Sequence, residues 1–231
     1  MNFLKKLLGE KPQPDRTSHV YADPASILPF MNHVNVSGYP DDSFIFNPAG
    51  NEKLLRKLAE DLACVFVAET PDGPQIIDKV FLKHEGWQPE TIEKYAVQNL
   101  TRLFNDKGNL HQKRMDDTSI LYRLVLDNRN EASCLLVKDL WEVLCRQHKD
   151  NLFAAVPTTH ELHFCKVKEG NGLLHLIELT QHAYNAAETG KLSPYVYMFH
   201  NGGWKMFRND PMEVLNYCLD NGLIDASLPG L

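Results

Sequence analysis

Histidine is the residue type in this chain best supplied for chemistry, with ten copies, and two groups of them have a spacing worth testing. His160-Glu161-Leu162-His163 follows the apolar run ending at Val156-Pro157, and His175, Glu178 and His182 recur at i, i+3 and i+7 on one face of a helical stretch. Zinc takes three or four nitrogen, oxygen or sulfur ligands in a tetrahedral set, so two such groups meeting in space would build a site. Strand geometry works against this. His160 and His163 would point to opposite faces, and neither group has the H-E-x-x-H spacing that sets a general base beside two ligands. No metal is therefore expected, and Glu178 is read as pairing with imidazoles on a solvated helix face. A hydrolase, if the chain were one, would draw on His160, Glu161, His175 and His182.

Other chemistry is poorly provided for. There is no G-x-S-x-G elbow, and Cys64, Cys134, Cys145, Cys165 and Cys218 sit in apolar surroundings that raise a thiol's pKa rather than activate it. Their odd number and wide spacing point to reduced thiols, not to a disulfide framework. Gly170-Asn171-Gly172 is only a fragment of a phosphate loop, without the later glycine and the Lys-Ser/Thr, so no cofactor is expected. The pairs Asp41-Asp42 and Asp116-Asp117 lie in polar turns, where nothing would separate their pKa values into acid and base roles. A net charge of -6 with no basic cluster argues against nucleic acid.

The elements that must position these residues are easiest to read from Ser119 onward. Strands at 119–126, 152–156, 161–167 and 195–199, with helices at 133–148 and 172–188, give the order β-α-β-β-α-β, extended by a strand at 204–207 and a last helix. Asn201-Gly202-Gly203 marks a hairpin, and Asp210-Pro211-Met212-Glu213 a capped helix start. Before it, weak strands at 33–36 and 43–46 precede a helix carrying Leu54, Leu55, Leu58 and Leu62, with Asn51 as its cap and Arg56 and Lys57 facing water. Cys64 to Ala68 is a strand buried on both faces. Gln75-Ile76-Ile77 and Val80-Phe81-Leu82 read as further strands, and Pro89-Glu90 starts a helix ending near Asn105. Asn109 to Thr118 reads as polar and exposed.

The fold class expected is α+β, with a mixed or antiparallel sheet and helices packed on one face. Residues 1–24 form an amphipathic turn and a proline-rich tether, 25–110 an N-terminal α+β lobe, and 111–231 a C-terminal lobe of split βαβ type. Phe3, Leu4, Leu7 and Leu8 give the N-terminus an apolar side suited to a membrane surface or a partner, but stable anchoring needs a second signal. No run reaches the ~18–20 apolar residues of a membrane span, and no apolar signal-peptide core is present. The protein is read as cytoplasmic.

One further feature bears on function. If Val196 and Met198 face the core, Tyr195, Tyr197 and Phe199 cover a second layer or stay exposed, and with Trp204 they form the partner-binding candidate, since tyrosine and tryptophan are enriched where partners dock. The simpler alternative has the helix after Asp210 folding back over them.

Pro89-Glu90 through Ala96, Asn99-Leu100, Ala132 to Leu136 with Leu140-Trp141, Leu152 to Pro157, and Leu192-Ser193-Pro194 to Gly203-Trp204 give the chain a resemblance to the uncharacterised YtpQ-like bacterial proteins. It covers about Gln88 to Phe207, roughly half of the chain. The resemblance implies a bacterial cytoplasmic α+β protein of unassigned activity, with no catalytic residues to carry across. The function expected is a non-catalytic protein-interaction module, either a regulator or an immunity-type protein that neutralises a toxin by covering it. The alternatives are the histidine hydrolase and, third, membrane association through the N-terminus.

Overall fold

The structure is a computed structural model that describes residues 22–46, 52–70, 72–148, 150–166, 168, 171–207 and 209–222. The amphipathic N-terminal turn, most of the tether, Asn51 and Gly170 lie outside the described residues. Among the described residues, two antiparallel sheets and five α-helices make an α+β fold.

The first sheet holds β1 (Leu28–His33), β2 (Phe44–Phe46), β3 (Leu54–Lys57), β4 (Leu62–Thr70) and β5 (Gly73–Ile76), in the order β1-β4-β3-β2, with β5 paired to the far half of β4. The leucine-rich stretch predicted as a helix is therefore a strand, a turn and the start of β4. Leu54, Leu55, Leu58 and Leu62 do satisfy helical spacing, but a helix would leave Arg56 and Lys57 in water. All four residues of β3 are buried instead, paired on both sides, and the chain reverses where Leu58 and Ala59 donate their amides to the Leu62 carbonyl.

Val80-Phe81-Leu82 is likewise corrected from strand to helix. The Asp78 carboxylate accepts from the Phe81 amide at 2.7 Å and caps α1 (Lys79–Glu85), which stops at Gly86 with φ 69°. α2 (Pro89–Lys107) has proline and Glu90 in its first turn, and its Ile92, Ala96 and Leu100 are buried. Asn99 in α2 also donates to the carbonyls of Pro24 and Ile27, which fixes the chain entering β1.

The second sheet runs β11-β10-β8-β9-β7-β6, from β6 (Asn109–Arg114), β7 (Ile120–Val125), β8 (Leu152–Ala155), β9 (Leu162–Lys166), β10 (Val196–His200) and β11 (Gly203–Phe207). β6 lies in the polar stretch and is almost wholly exposed. An edge strand with only Leu110 set against the core needs few apolar residues. Between β7 and β8 come a 3-10 turn (Ala132–Leu136) and α3 (Lys138–His148); α4 (Gly172–Ala186) joins β9 to β10, and α5 (Pro211–Asp220) follows β11. Each of α3 and α4 closes a split βαβ unit, because β9 lies between β7 and β8, and β8 between β9 and β10. Ser133, read as a helix cap, instead accepts the Met31 amide at 3.1 Å and ties the 3-10 turn to β1.

The largest core joins the sheets. Leu54, Phe66 and Ile92 from the first half pack in one cluster with Leu124, Trp141, Phe164 and Tyr197 from the second. On the other face of the second sheet, Leu173 and Leu176 of α4 and Val214 and Cys218 of α5 cover Phe153, Val196 and Phe207. Each such large side chain contributes roughly 1.5–3 kcal/mol by leaving water, so the shared cluster holds the halves together.

Candidate functional site

The histidines do not converge. His160 lies in the turn before β9, with Thr159 Oγ1 3.1 Å from its Nδ1, and Glu161 accepts from the Thr158 hydroxyl. His163 points with Cys165 to the α4 side of β9, where burial and then the charge of Arg123 push its pKa down to about 4. His175 meets Asp116 through Nε2 at 3.0 Å, while Glu178 and His182 are exposed along α4. The Ser119 side chain, the hydrogen-bonding Thr118 amide and the His175 ring together hold the Asp116 carboxyl well below the usual range. Among the described residues no three of His, Cys, Asp and Glu form a set that could hold a metal ion.

The aromatic hairpin is internal, so the expected docking residues Tyr195, Tyr197, Phe199 and Trp204 pack inward and are not displayed on the surface. Tyr197, Phe199 and Trp204 are buried, and Tyr195 is half-buried against the same core. Strand alternation sends Tyr197 and Phe199 toward the first sheet, where Trp204 donates its indole N–H to the Leu135 carbonyl at 2.9 Å and stacks edge-on against Trp141. α5 covers the opposite face, with Tyr217 packed on Phe153 and Phe207.

Where the sheets meet, a polar cluster forms that no sequence spacing reveals. Asp61, in the β3–β4 turn, accepts from Ser193 Oγ at 2.8 Å and from Tyr197 Oη at 2.7 Å, and the two hydroxyl oxygens lie close enough for one to turn its proton to the other instead. Burial, followed by the Asp61 charge, pushes the Tyr197 phenol well above its ordinary value, so it stays neutral. A neutral phenol and a fully buried serine hydroxyl, both donating to one carboxylate, make a clamp between the sheets. The His33 ring stands 3.9 Å from the same carboxylate.

Two buried cations on β3 brace the neighbouring surface. Arg56 binds Glu93 at 2.8 Å and Asp42 at 3.1 Å, and Lys57 binds the Tyr39 carbonyl at 2.6 Å and Asp41 at 2.9 Å. Lys138 of α3 reaches Asp42 at 2.8 Å, so the Asp41-Asp42 turn is held by both halves. Far from being a solvated pair alone, these acids anchor cations that a folded strand had to bury.

Beside this clamp lies a hollow of about 310 Å³, with Asp41, Asp42 and Glu60 on one side and His200, Lys205 and Met206 on the other. A second, of about 270 Å³, separates β11 from α5 and is lined by Met198, Lys205, Glu213, Tyr217 and Asp220 among others. Asp61 carries no signal of its own in the sequence, because it lies within the run that fits a helix. Glu213 was read only as a capping residue. Comparison of the chain with protein-family models, with curated proteins and with solved structures finds no match.

Proposed function

We propose that this chain is a non-catalytic protein-binding module that presents the surface around the β10–β11 hairpin and the β3–β4 turn. The supporting observation is the hollow at the seam of the sheets, held in shape by the Asp61–Ser193–Tyr197 clamp and by the buried Arg56 and Lys57. A surface fixed by the core on both sides meets a partner without paying to order itself. Regulation or neutralisation of a toxin by covering it fits such a surface, as does the YtpQ-like resemblance with its lack of assigned catalytic residues. A bacterial cytoplasmic setting belongs to the same proposal, supported by five cysteines that form no disulfide. No helix among the described residues is long and apolar enough to cross a membrane.

The test is affinity capture of the full chain at native expression level, followed by reconstitution with the purified partner. A stoichiometric complex that survives gel filtration is expected. Failure of every captured protein to form one, or a turnover activity lost when His160 and His175 are replaced by alanine, would replace binding with catalysis.

A further inference from the structure

β11 ends the second sheet, so one side of it pairs with β10 and, among the described residues, the other faces no strand. The two-residue turn Asn201-Gly202, with φ of 51° and 75°, decides which groups that open side presents. In such a hairpin the flanking residues, His200 and Gly203, form a hydrogen-bonded pair, and alternation makes Met198–Lys205 and Val196–Phe207 bonded pairs too. Trp204 and Met206 therefore turn their N–H and C=O groups outward.

The two hollows described above lie on opposite faces of this strand, and both include Lys205 and Met206. An extended segment added to a sheet edge sends alternate side chains to opposite faces. Its side chains would enter the two hollows by turns. The lining differs between the faces: Glu213 and Asp220 stand beside the Lys205 ammonium on the α5 face, whereas Leu58, Ala59, Trp204 and Met206 give the seam face its apolar surface. Asp41 and Asp42 are met by Lys57, Arg56 and Lys138, but Glu213 and Asp220 make no ion pair among the described residues. Met198, Met206 and Tyr217 supply apolar surface for the stems of long cationic side chains. A second copy of the chain fits badly, because antiparallel pairing centred on Lys205 would set lysine against lysine and bring the unpaired acids of both α5 helices to the same face.

We infer that the open edge of β11 is a strand-addition site for an extended partner segment in which basic and apolar residues alternate, the basic ones entering the hollow beside α5 and the apolar ones the hollow at the seam of the sheets. This rests on the reading of the chain as a binding module and adds how, and by what, it is bound. The probes are fluorescein-labelled peptides alternating arginine with valine, and glutamate with valine, titrated into the full chain by fluorescence polarisation.

The arginine–valine peptide should bind at least about tenfold more tightly than the glutamate–valine peptide and should slow hydrogen exchange at the Trp204 and Met206 amides. Met206→Pro removes an outward N–H while sparing the bonds to β10, and should weaken that binding at least about tenfold. Asp220→Lys is exposed, suits the C-terminal end of α5, and should weaken it by a similar factor, deciding the matter if the proline variant fails to fold. Equal binding of the two peptides, or undiminished binding by Asp220→Lys, would overturn the site. A native partner that still forms its stoichiometric complex with both variants would overturn this edge while leaving the binding-module reading standing. Tight, edge-dependent peptide binding with no partner complex would do the reverse.

Discussion

Replacing His163 by leucine should flatten the acid side of the stability curve. The ring is 7% exposed and its pKa lies near 4, against 6.5 for the same group in an unfolded chain. The unfolded chain therefore takes up the proton first, and stability falls as pH drops from 6.5 toward 4 while being fully present above that window. The whole shift corresponds to about 3 kcal/mol, and by pH 5 about 2 kcal/mol of it is gone. Urea unfolding of wild type and His163→Leu at pH 7 and pH 5 isolates this contribution, because the other titrating groups are common to both chains. The wild type should lose about 2 kcal/mol more than the variant between the two pH values. Equal losses would show that His163 is not held neutral under α4, and the burial assigned to it would be wrong.

Asp61→Ala should cost about 3 kcal/mol in the same assay, the lower end for two hydrogen bonds to a charged acceptor, because the Ser193 and Tyr197 hydroxyls keep each other as partners. A double-mutant cycle with Tyr197→Phe should give a coupling of at least about 1 kcal/mol, and additive effects would dissolve the clamp. On the alkaline side, burial raises Cys64 and Cys134 above the ordinary thiol value of 9.0 and Tyr197 above 10.0. The fold thus holds protons that the unfolded chain releases, so stability should fall as pH climbs past 9 and again past 10, and a flat profile from pH 8.5 to 11 would contradict the burial of these groups.

The second half was legible from sequence where β8 is apolar on both alternating sets and where the last helix carries Asp210 and Pro211 at its start, the carboxylate capping two amides; the polar edge strand β6 gave no such signal. The first half misled where one pattern served two structures. Leucines at 54, 55, 58 and 62 fit a helix as well as a hairpin, and only the burial of Arg56 and Lys57 with Glu93, Asp41 and Asp42 decides between them. The Asp78 cap was a readable signal for α1 that β-branched and aromatic neighbours outweighed. The candidate site was not legible at all. Asp61 lies 132 and 136 residues from Ser193 and Tyr197, and the two hollows exist only because a turn of the first sheet and the last helix flank one edge strand. The aromatic hairpin was read for what it could bind, whereas its faces were already taken by the two cores.

Hydrogen exchange across the chain, alone and in complex with its reconstituted native partner, tests the central claim most directly. Binding at the seam predicts slowed exchange at Trp204 and Met206 and in the turn from Leu58 to Asp61, with the interior of β8 and β9 unchanged. A stable complex that leaves residues 203–207 exchanging at their original rate, with protection confined to the opposite edge at β6, would contradict it.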